Sequence, residues 1–495
     1  MMLEKKYKKK FITSIILLLF LSVGGQVIQQ IAGEREQNSV LNLDSITRSI
    51  TQEYTLHDPI TVNNDDELAA VANNGTGVKN DPYIIANLNI TGSPTHGISI
   101  EGTTKHFRIE NCWIASSELC GIFVRNITPG SAIFTNNTCT SNFCGGITLS
   151  ACNSSLVANN SFNDYNVGIR LHSSSFSTIV NNTFFNNGLD FLAFKEELLS
   201  YTIENNKVNE LPLGYLKNKR DSLITGTYGQ LILVNCNNTI VKNQNCSNTF
   251  TGIALYYCKE NYLVNNTCNN NRESGITLIS SNSATVISNT CNENYHSGID
   301  LQGSSSSTLA KNTCNYGYNG ISLWDSDSST LINNTCNFHS FGIFLRHSSS
   351  SILTNNTCTS NFFGGIHLEN SCYSTLTNNT CNGNWRIGIR LDNSSYSILT
   401  NNTCNSNNWY GLYVSSSHSL FLAYNILKNN GISSIYLSDS YNITSITTNP
   451  TTNEAKTSSY STSETETTNS SSHAFTLGFL IVVLGLFSLI KKHNK

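Results

Sequence analysis

The feature that most constrains this chain is a repeated unit that opens with Gly followed by Ile or Leu and is 22 or 23 residues long from Gly252 onward. The motif begins at Gly97, Gly121, Gly146, Gly168, Gly252, Gly275, Gly298, Gly320, Gly342, Gly365, Gly388 and Gly411. Each unit contains three short alternating apolar runs separated by Gly, Asn and Ser, which is typical of strands and tight turns. The expected fold is therefore all-β, a right-handed parallel β-helix. It is a solenoid of about fifteen coils between residues 82 and 442.

A column of asparagines recurs at one turn of the repeat. Its members are Asn137, Asn160, Asn182, Asn206, Asn266, Asn289, Asn312, Asn334, Asn356, Asn379 and Asn402. Because Asn tolerates left-handed backbone angles and stacked amides can hydrogen-bond to one another, the column predicts an Asn ladder along the solenoid. The alternative is glycosylation, since an Asn-x-Thr acceptor sequence begins one residue earlier in many units. Examples of these acceptors are Asn333, Asn355, Asn378 and Asn401.

Cysteine forms a second column, two residues after the ladder Asn. Its members are Cys139, Cys246, Cys268, Cys291, Cys314, Cys336, Cys358, Cys381 and Cys404. We assign the same site in other coils to Ile114, Phe162, Phe184, Val208 and Ile426. A site that also accepts Ile, Phe and Val is expected to face the interior, so these cysteines are predicted to be buried and reduced. Disulfides between adjacent coils, about 4.8 Å apart, and a metal-binding thiolate column are the alternatives.

Both ends of the chain pair basic residues with an apolar run. Residues 11–23 follow five lysines and are too few to span a bilayer, which predicts a secretory signal or, alternatively, an uncleaved anchor. Residues 474–490 precede a basic tail, which predicts a transmembrane helix with its C-terminus in the cytoplasm. In chain order the predicted segments are a signal peptide or anchor (1–33), a lead-in and cap (34–81), the β-helix (82–443, with an irregular insertion at about 188–235), a disordered Ser/Thr-rich stalk (444–473), the transmembrane helix (474–490) and the cytoplasmic tail (491–495).

Charge is sparse and, between the two ends, acidic. Only 12% of residues are Asp, Glu, Lys or Arg, where about 25% is usual. Without Glu4 and the lysines that flank the apolar runs, the chain has 21 bases and 31 acids. Because nucleic acid attracts basic surfaces, we expect that the acidic part of the chain between the two ends does not bind nucleic acid.

Several motifs resemble a known family. Units of the form Asn-Asn-Thr-x, Gly-Ile-x-Leu and Ser-Ser-x-x-x-x-Leu resemble the NosD-like β-helix repeat family of the pectin-lyase-like superfamily, in its archaeal cell-surface form. The stretches at 80–85, 107–112, 209–216 and 229–236 are also similar, and the resemblance covers about residues 57–443. It implies the same β-helix fold and an extracytoplasmic location. The family's name implies a copper-insertion accessory role.

A polar and aromatic patch is the strongest candidate site. In the Gly-Ile-x-Leu-x segment the Ile and Leu are predicted to point inward, so both x residues point outward. The densest group of outward residues is Trp324, Phe344, Arg346, His367, Glu369, Arg390, Asp392 and Tyr413. Because aromatic faces stack on sugar rings, this patch predicts a glycan ligand. The alternative is a solvated salt-bridge ladder in which acids and bases alternate.

Catalysis at this patch is a second hypothesis. Paired carboxylates can hydrolyse a glycosidic bond by acid–base chemistry, and an Arg near a calcium-bound carboxylate can serve β-elimination. The catalytic candidates are Glu369, Asp392, Arg390 and His367. The motif set of polygalacturonases is missing from the repeats, as are a Ser-His-Asp triad and zinc spacings.

We therefore expect a scaffold that is anchored at the cell surface and binds or presents a ligand, with glycans as the ligand that it recognises. We expect no cofactor and no metal. The alternatives are a polysaccharide lyase or glycoside hydrolase, with calcium if it is a lyase, and a NosD-like copper-insertion accessory protein.

Overall fold

The computed structural model describes residues 54–163, 166–446 and 456–457. The predicted signal (1–33), transmembrane helix (474–490) and basic tail (491–495) lie outside these residues, as does most of the predicted stalk. Within the described ranges, no helix has the length and apolar character needed to cross a membrane. These residues form a right-handed parallel β-solenoid of about 16 turns with little helix. The predicted all-β, right-handed parallel solenoid is confirmed.

Three parallel sheets form the first half, and the chain visits them in the order A, B, C. Sheet A contains β1 (Thr55–Leu56), β4 (Leu88–Thr91), β7 (Trp113–Ala115), β10 (Thr138–Thr140), β13 (Ser161–Asn163), β16 (Thr183–Phe184) and β19 (Lys207–Val208). Sheet B contains β2 (Ile60–Val62), β5 (Ile98–Glu101), β8 (Cys120–Arg125), β11 (Gly145–Ser150), β14 (Val167–His172) and β17 (Leu189–Leu192). Sheet C contains β3 (Tyr83–Ala86), β6 (Phe107–Glu110), β9 (Ala132–Thr135), β12 (Leu156–Ala158), β15 (Thr178–Val180) and β18 (Thr202–Glu204).

Two long sheets form the second half. Sheet D contains β20 (Leu211–Lys217), β22 (Gln230–Val234), β24 (Ile253–Tyr256), β26 (Ser274–Ile279), β28 (Ser297–Gln302), β30 (Thr313–Trp324), β32 (Thr335–Arg346), β34 (Gly364–Glu369), β36 (Ile387–Asp392), β38 (Tyr410–Ser415), β40 (Ser433–Ser438) and β42 (Lys456–Thr457). Sheet E contains β21 (Leu223–Ile224), β23 (Ile240–Lys242), β25 (Tyr262–Val264), β27 (Thr285–Ile287), β29 (Thr308–Ala310), β31 (Thr330–Ile332), β33 (Ile352–Thr354), β35 (Thr375–Thr377), β37 (Ile398–Thr400), β39 (His418–Ala423) and β41 (Tyr441–Ile446). The third side of most coils here pairs through isolated bridges, such as that between Thr267 and Thr290.

Two short helices lie beside the strands. Helix α1 (Asp65–Val71) begins where the Asn64 side chain accepts a hydrogen bond from the backbone N–H of Glu67 at 2.9 Å. Helix α2 (Lys195–Ser200) begins after Phe194, whose backbone N–H donates to the Glu197 carboxylate at 2.9 Å. The N-terminal ends of the two helices thus satisfy backbone N–H groups that an isolated helix would leave unpaired.

The solenoid changes its arrangement between the halves. Strand β19 pairs with β20 in antiparallel fashion, whereas the pairs on either side are parallel. The buried apolar residues accordingly fall into two clusters, one for each half. The outward residues Ile232, Val234, Ala254 and Tyr256 pack with the first-half cluster. The first coils of sheet D are therefore covered on both faces, as the continuous apolar sequence of β22 requires.

The interior is filled by the repeated aliphatic residues. Ile343 and Leu345 have no exposed surface, which confirms the prediction that they point inward. The preceding glycines are needed because the lumen is tight at this corner. A Cβ on Gly298 would lie 2.6 Å from the Cβ and 2.7 Å from the Sγ of Cys314, distances that real side chains do not adopt.

The predicted Asn ladder is present. Most ladder asparagines accept hydrogen bonds at their Oδ1 from the Asn of the preceding coil, as Asn334 and Asn356 illustrate. Asn137 and Asn266 accept instead from the backbone N–H groups of Cys112 and Gln244. A second ladder was not predicted. It includes Asn361, Asn384, Asn407 and Asn430, whose side chains accept backbone hydrogen bonds in the same way.

The cysteine column faces the lumen, as predicted. All nine members are buried and none forms a disulfide. Strand register places Ile114, Phe162 and Cys139 at one level of successive coils. The assignment of Ile426 to this site is wrong. Ile426 pairs with Thr403 and is 45% exposed, so Leu427, the residue after it, takes the lumen position.

The Asn-x-Thr acceptor residues occupy the outside of the ladder turn. Asn333, Asn355, Asn378 and Asn401 are exposed and have φ values of 55–56°. This left-handed conformation favours Asn. Glycosylation at these residues stays a prediction.

Candidate functional site

Strand register assembles the predicted outward patch on sheet D. One column consists of the successive partners Ser322, Phe344, His367, Arg390 and Tyr413. The adjoining column consists of Trp324, Arg346, Glu369, Asp392 and Ser415. All eight predicted patch residues therefore lie side by side on five consecutive strands.

The first part of the patch joins Trp324, Arg346 and Glu369. The Arg346 guanidinium lies over the Trp324 ring, 4.5 Å from its centroid. The Nε of Arg346 is 3.5 Å from the Glu369 carboxylate. Trp324 nevertheless keeps 44% of its surface exposed. It is thus held in place on one side and open to a ligand on the other.

The second part joins His367, Asp392, Arg390 and Tyr413. The Asp392 Oδ2 lies 2.8 Å from His367 Nε2 and 2.5 Å from Arg390 Nε. The Arg390 guanidinium is 5.1 Å from the centroid of the Tyr413 ring. Burial would raise the pKa of Asp392, but the hydrogen bonds from His367 and Arg390 outweigh it and lower the pKa. Asp392 is therefore ionised at neutral pH.

His367 points outward but is only 6% exposed, because aromatic rings cover it. Its ring centroid is 5.0 Å from that of Phe344 and 5.2 Å from that of Phe341. Burial lowers the pKa of His367 in spite of the hydrogen bond with Asp392. We therefore assign a neutral imidazole that donates from Nε2 to Asp392.

Sequence reasoning missed the residues that precede the repeated glycine. Phe341 and Phe363 extend the aromatic surface beside Phe344, with ring centroids 5.3 Å apart. Arg386 lies between aromatic rings, 4.8 Å from the centroid of Phe363 and 4.7 Å from that of Trp409. The available signal was the run of large residues one or two places before Gly in consecutive coils.

The patch is electrostatically balanced. Glu369 faces Arg346, and Asp392 is shared by Arg390 and His367. Such pairing is what a salt-bridge ladder predicts. It lowers the pKa of Asp392, whereas a general acid needs a raised one. The exposed ring of Trp324 goes beyond what a ladder of charges requires.

The described residues offer little to a metal ion. No group of three or more His, Cys, Asp or Glu among residues 54–163, 166–446 and 456–457 is placed to hold one. The column cysteines, Cys246 to Cys404, are sealed in the lumen with at most 1% exposure. Copper(I) prefers thiolate ligands, but these thiols have neither a third ligand nor an entry path. The column does not fit a copper site.

Comparisons with known proteins found only weak similarity to solved structures. Three solved structures with low similarity are the periplasmic alginate epimerase AlgG (14% identity, 80% of this chain and 86% of that chain covered, TM-score 0.37), the A-module of the mannuronan C-5 epimerase AlgE6 from Azotobacter vinelandii (9%, 73% and 92%, 0.32) and the Dettilon tailspike protein gp208 (13%, 71% and 62%, 0.29). No curated protein matches the sequence.

Family models match most of the solenoid. Residues 70–215 match the model described as right-handed beta helix region. Residues 194–334 and 297–478 match the model described as periplasmic copper-binding protein (NosD). The two NosD matches together span residues 194–478, more than half of the chain, which therefore belongs to the NosD family.

Proposed function

We propose that this chain is an extracytoplasmic glycan-binding β-helix whose ligand lies along the outer face of sheet D. The observation that carries the proposal is the exposed Trp324 ring at one end of a row of hydrogen-bonding groups, with Tyr413 four strands away. Adjacent strands are about 4.8 Å apart, close to the length of one sugar unit. An extended oligosaccharide thus meets a new pair of side chains at each unit.

Two observations support the proposed extracytoplasmic location. The family is described as periplasmic, and the apolar run at residues 11–23 has the features of an export signal. We propose in addition that residues 474–490 hold the protein at the membrane.

The charged groups give the site selectivity rather than catalysis. Arg346, Glu369, Arg390 and Asp392 present donors and acceptors in fixed positions because each is held by a neighbour. Fixed polar groups beside an aromatic ring lower the entropic cost of binding. The paired carboxylates make lyase or hydrolase activity the weaker alternative, and the sealed cysteine column makes copper insertion weaker still.

A glycan array probed with the full-length protein tests the proposal. Binding to a defined class of glycan, lost when Trp324 and Tyr413 are both replaced by Ala, is the expected result. Analysis of the bound glycans for shortened or unsaturated products separates binding from cleavage. Failure of the protein to retain any glycan would contradict the proposal.

A further inference from the structure

Asp300 is a buried carboxylate outside the patch described above. It lies two strands before Phe344 in the same outward column, between Thr277 and Ser322. Although it is on the outer face of sheet D, it is only 3% exposed. Its Oδ2 accepts a hydrogen bond from Gln302 Nε2 at 2.7 Å. Among the described residues, no Lys or Arg forms an ion pair with it, unlike Glu369 and Asp392.

The surroundings of Asp300 carry an excess of negative charge. Glu273 Oε1 lies 3.5 Å from His296 Nδ1, and Asp190 pairs with Arg170 at 2.7 Å. Burial raises the pKa of Asp300, and burial together with the nearby acids Asp190 and Asp300 raises the pKa of Glu273. Of the carboxylates and arginines that act on Glu273, two are acids, Asp190 and Asp300, and one is a base, Arg170, so an anionic ligand group is disfavoured here.

Two unpartnered polar atoms lie on the strands that flank the strand of Asp300. Ser274 and Asn319 occupy the same position in the coils before and after it, as partners of Ser297. They are 1% and 4% exposed, and neither the Ser274 Oγ nor the Asn319 Oδ1 has a hydrogen-bond partner within the described part of the chain.

The position of Ser274 and Asn319 is on the outer face. The next member of their column, Phe341, packs against the outward residues Phe344 and His367. Buried polar atoms are nearly always paired in folded proteins, so Ser274 Oγ and Asn319 Oδ1 point to a hydrogen-bonding partner from outside the chain. An amide oxygen can only accept, so the partner of Asn319 Oδ1 is a donor.

We propose that Asp300, Asn319 and Ser274 form a subsite for a neutral sugar residue, whose hydroxyl groups donate to the Asp300 carboxyl and the Asn319 amide oxygen. Tyr318 and Trp324, 50% and 44% exposed, lie in the coil that follows and supply ring faces. A uronic acid residue would place its carboxylate beside Glu273 and Asp300 and be repelled. This inference rests on the proposed function and adds a ligand class, neutral glycans, to it.

Matched sugar pairs test the subsite. The full-length protein is titrated with hexamers of galactose, mannose and glucose and with the corresponding hexamers of galacturonic, mannuronic and glucuronic acid. We expect one neutral hexamer to bind at least about tenfold more tightly than its uronic counterpart. Asn319→Ala should weaken neutral binding by about tenfold, the loss typical of one such hydrogen bond.

Substitution of the acid tests selectivity. Asp300→Asn should reduce the preference for the neutral hexamer by about tenfold, because it removes a charge and keeps the shape. Asp327→Asn, the same change on an exposed turn, is the control and should alter nothing. If Asp300→Asn does not fold, as judged by circular dichroism, the exposed Gln302→Ala replaces it and should also weaken neutral binding.

The possible outcomes separate the two proposals. A protein that binds glycans with equal or greater affinity for uronic acids overturns the subsite and leaves the proposed function standing. So does a neutral preference that survives both Asp300→Asn and Asn319→Ala. A protein that binds none of these hexamers and no glycan on the array overturns both.

Discussion

Asn356 accepts two hydrogen bonds from Asn334 at its Oδ1, one from the backbone N–H at 3.0 Å and one from the side-chain Nδ2 at 2.9 Å. Its own Nδ2 donates to the carbonyl of Leu331 at 2.9 Å and to Asn379 Oδ1 at 3.0 Å. Asn334 and Asn356 are both fully buried. This rung of the ladder is therefore tied to the coil before it and the coil after it.

The ladder predicts a large cost for removing one rung. Asn356→Ala would leave buried donors of Asn334 and an acceptor of Leu331 without partners, so we expect a loss of about 2 to 4 kcal/mol in the free energy of unfolding. Urea unfolding followed by circular dichroism measures it. A solenoid can unfold in stages, so the midpoints of all transitions are compared.

The adjacent residue supplies the control for the ladder. Asn355 is exposed with a φ of 55°, a conformation that Gly adopts freely. Asn355→Gly should therefore change the unfolding midpoint little. Equal destabilisation by the two variants would argue against the ladder as a source of stability.

Much of the architecture could be predicted because a period of 22 or 23 residues governs the coils from Gly252 to Gly411. The spacing of Gly342, Ile343 and Leu345 determines which residues face the lumen, and register then follows from the repeat length. The error at Ile426 has a local cause: Asn425 is the ladder residue of that coil, and the apolar Ile426 after it faces outward.

The site was harder to predict because an outward direction does not determine exposure. His367 and Asp300 both point away from the lumen, yet they are 6% and 3% exposed. Neighbouring columns cover such residues, and that cover depends on which side chains stand in the adjacent coils. His339 shows a related limit. It takes an Asn position in the second ladder, with its Nε2 2.8 Å from the Cys314 carbonyl, a role that no motif reveals.

Burial of the cysteine column predicts the oxidation state of its thiols and their access to copper(I). Thiol counting of the denatured protein without reductant should find the nine column cysteines reduced, because the folded lumen protects them. The folded protein should take no copper(I) from a chelator of moderate affinity, whereas the denatured, reduced chain should. Oxidised column cysteines, or stoichiometric copper(I) uptake by the folded protein, would contradict this reading.

Acid should destabilise the protein through buried histidine. Burial lowers the pKa of His339 below its usual 6.5, in spite of its contact with the Cys314 carbonyl. The unfolded chain therefore binds the proton more readily, and the stability that the neutral His339 contributes is complete above about pH 6.5 and falls as the pH drops below it.

An asparagine at this position provides the comparison. His339→Asn restores the residue found at the neighbouring rung, Asn361, and removes the titration. We expect the variant to lose less stability than the original protein between pH 7.5 and pH 5, measured by thermal unfolding. An identical pH dependence in the two proteins would show that His339 is not the sensitive group.

Substitution of Trp324 distinguishes a patch that binds glycans from one that is purely structural. Its ring is 44% exposed and lies under the Arg346 guanidinium, so Trp324→Ala should weaken binding of an array-positive glycan by about 1 to 3 kcal/mol. The unfolding midpoint should hardly change, because an exposed ring contributes little to the core. Tyr373→Ala is the matched control: that ring is 60% exposed and stacks on Tyr396, away from sheet D. Should the two variants bind the glycan equally well, the patch would be a salt-bridge ladder and the ligand would lie elsewhere.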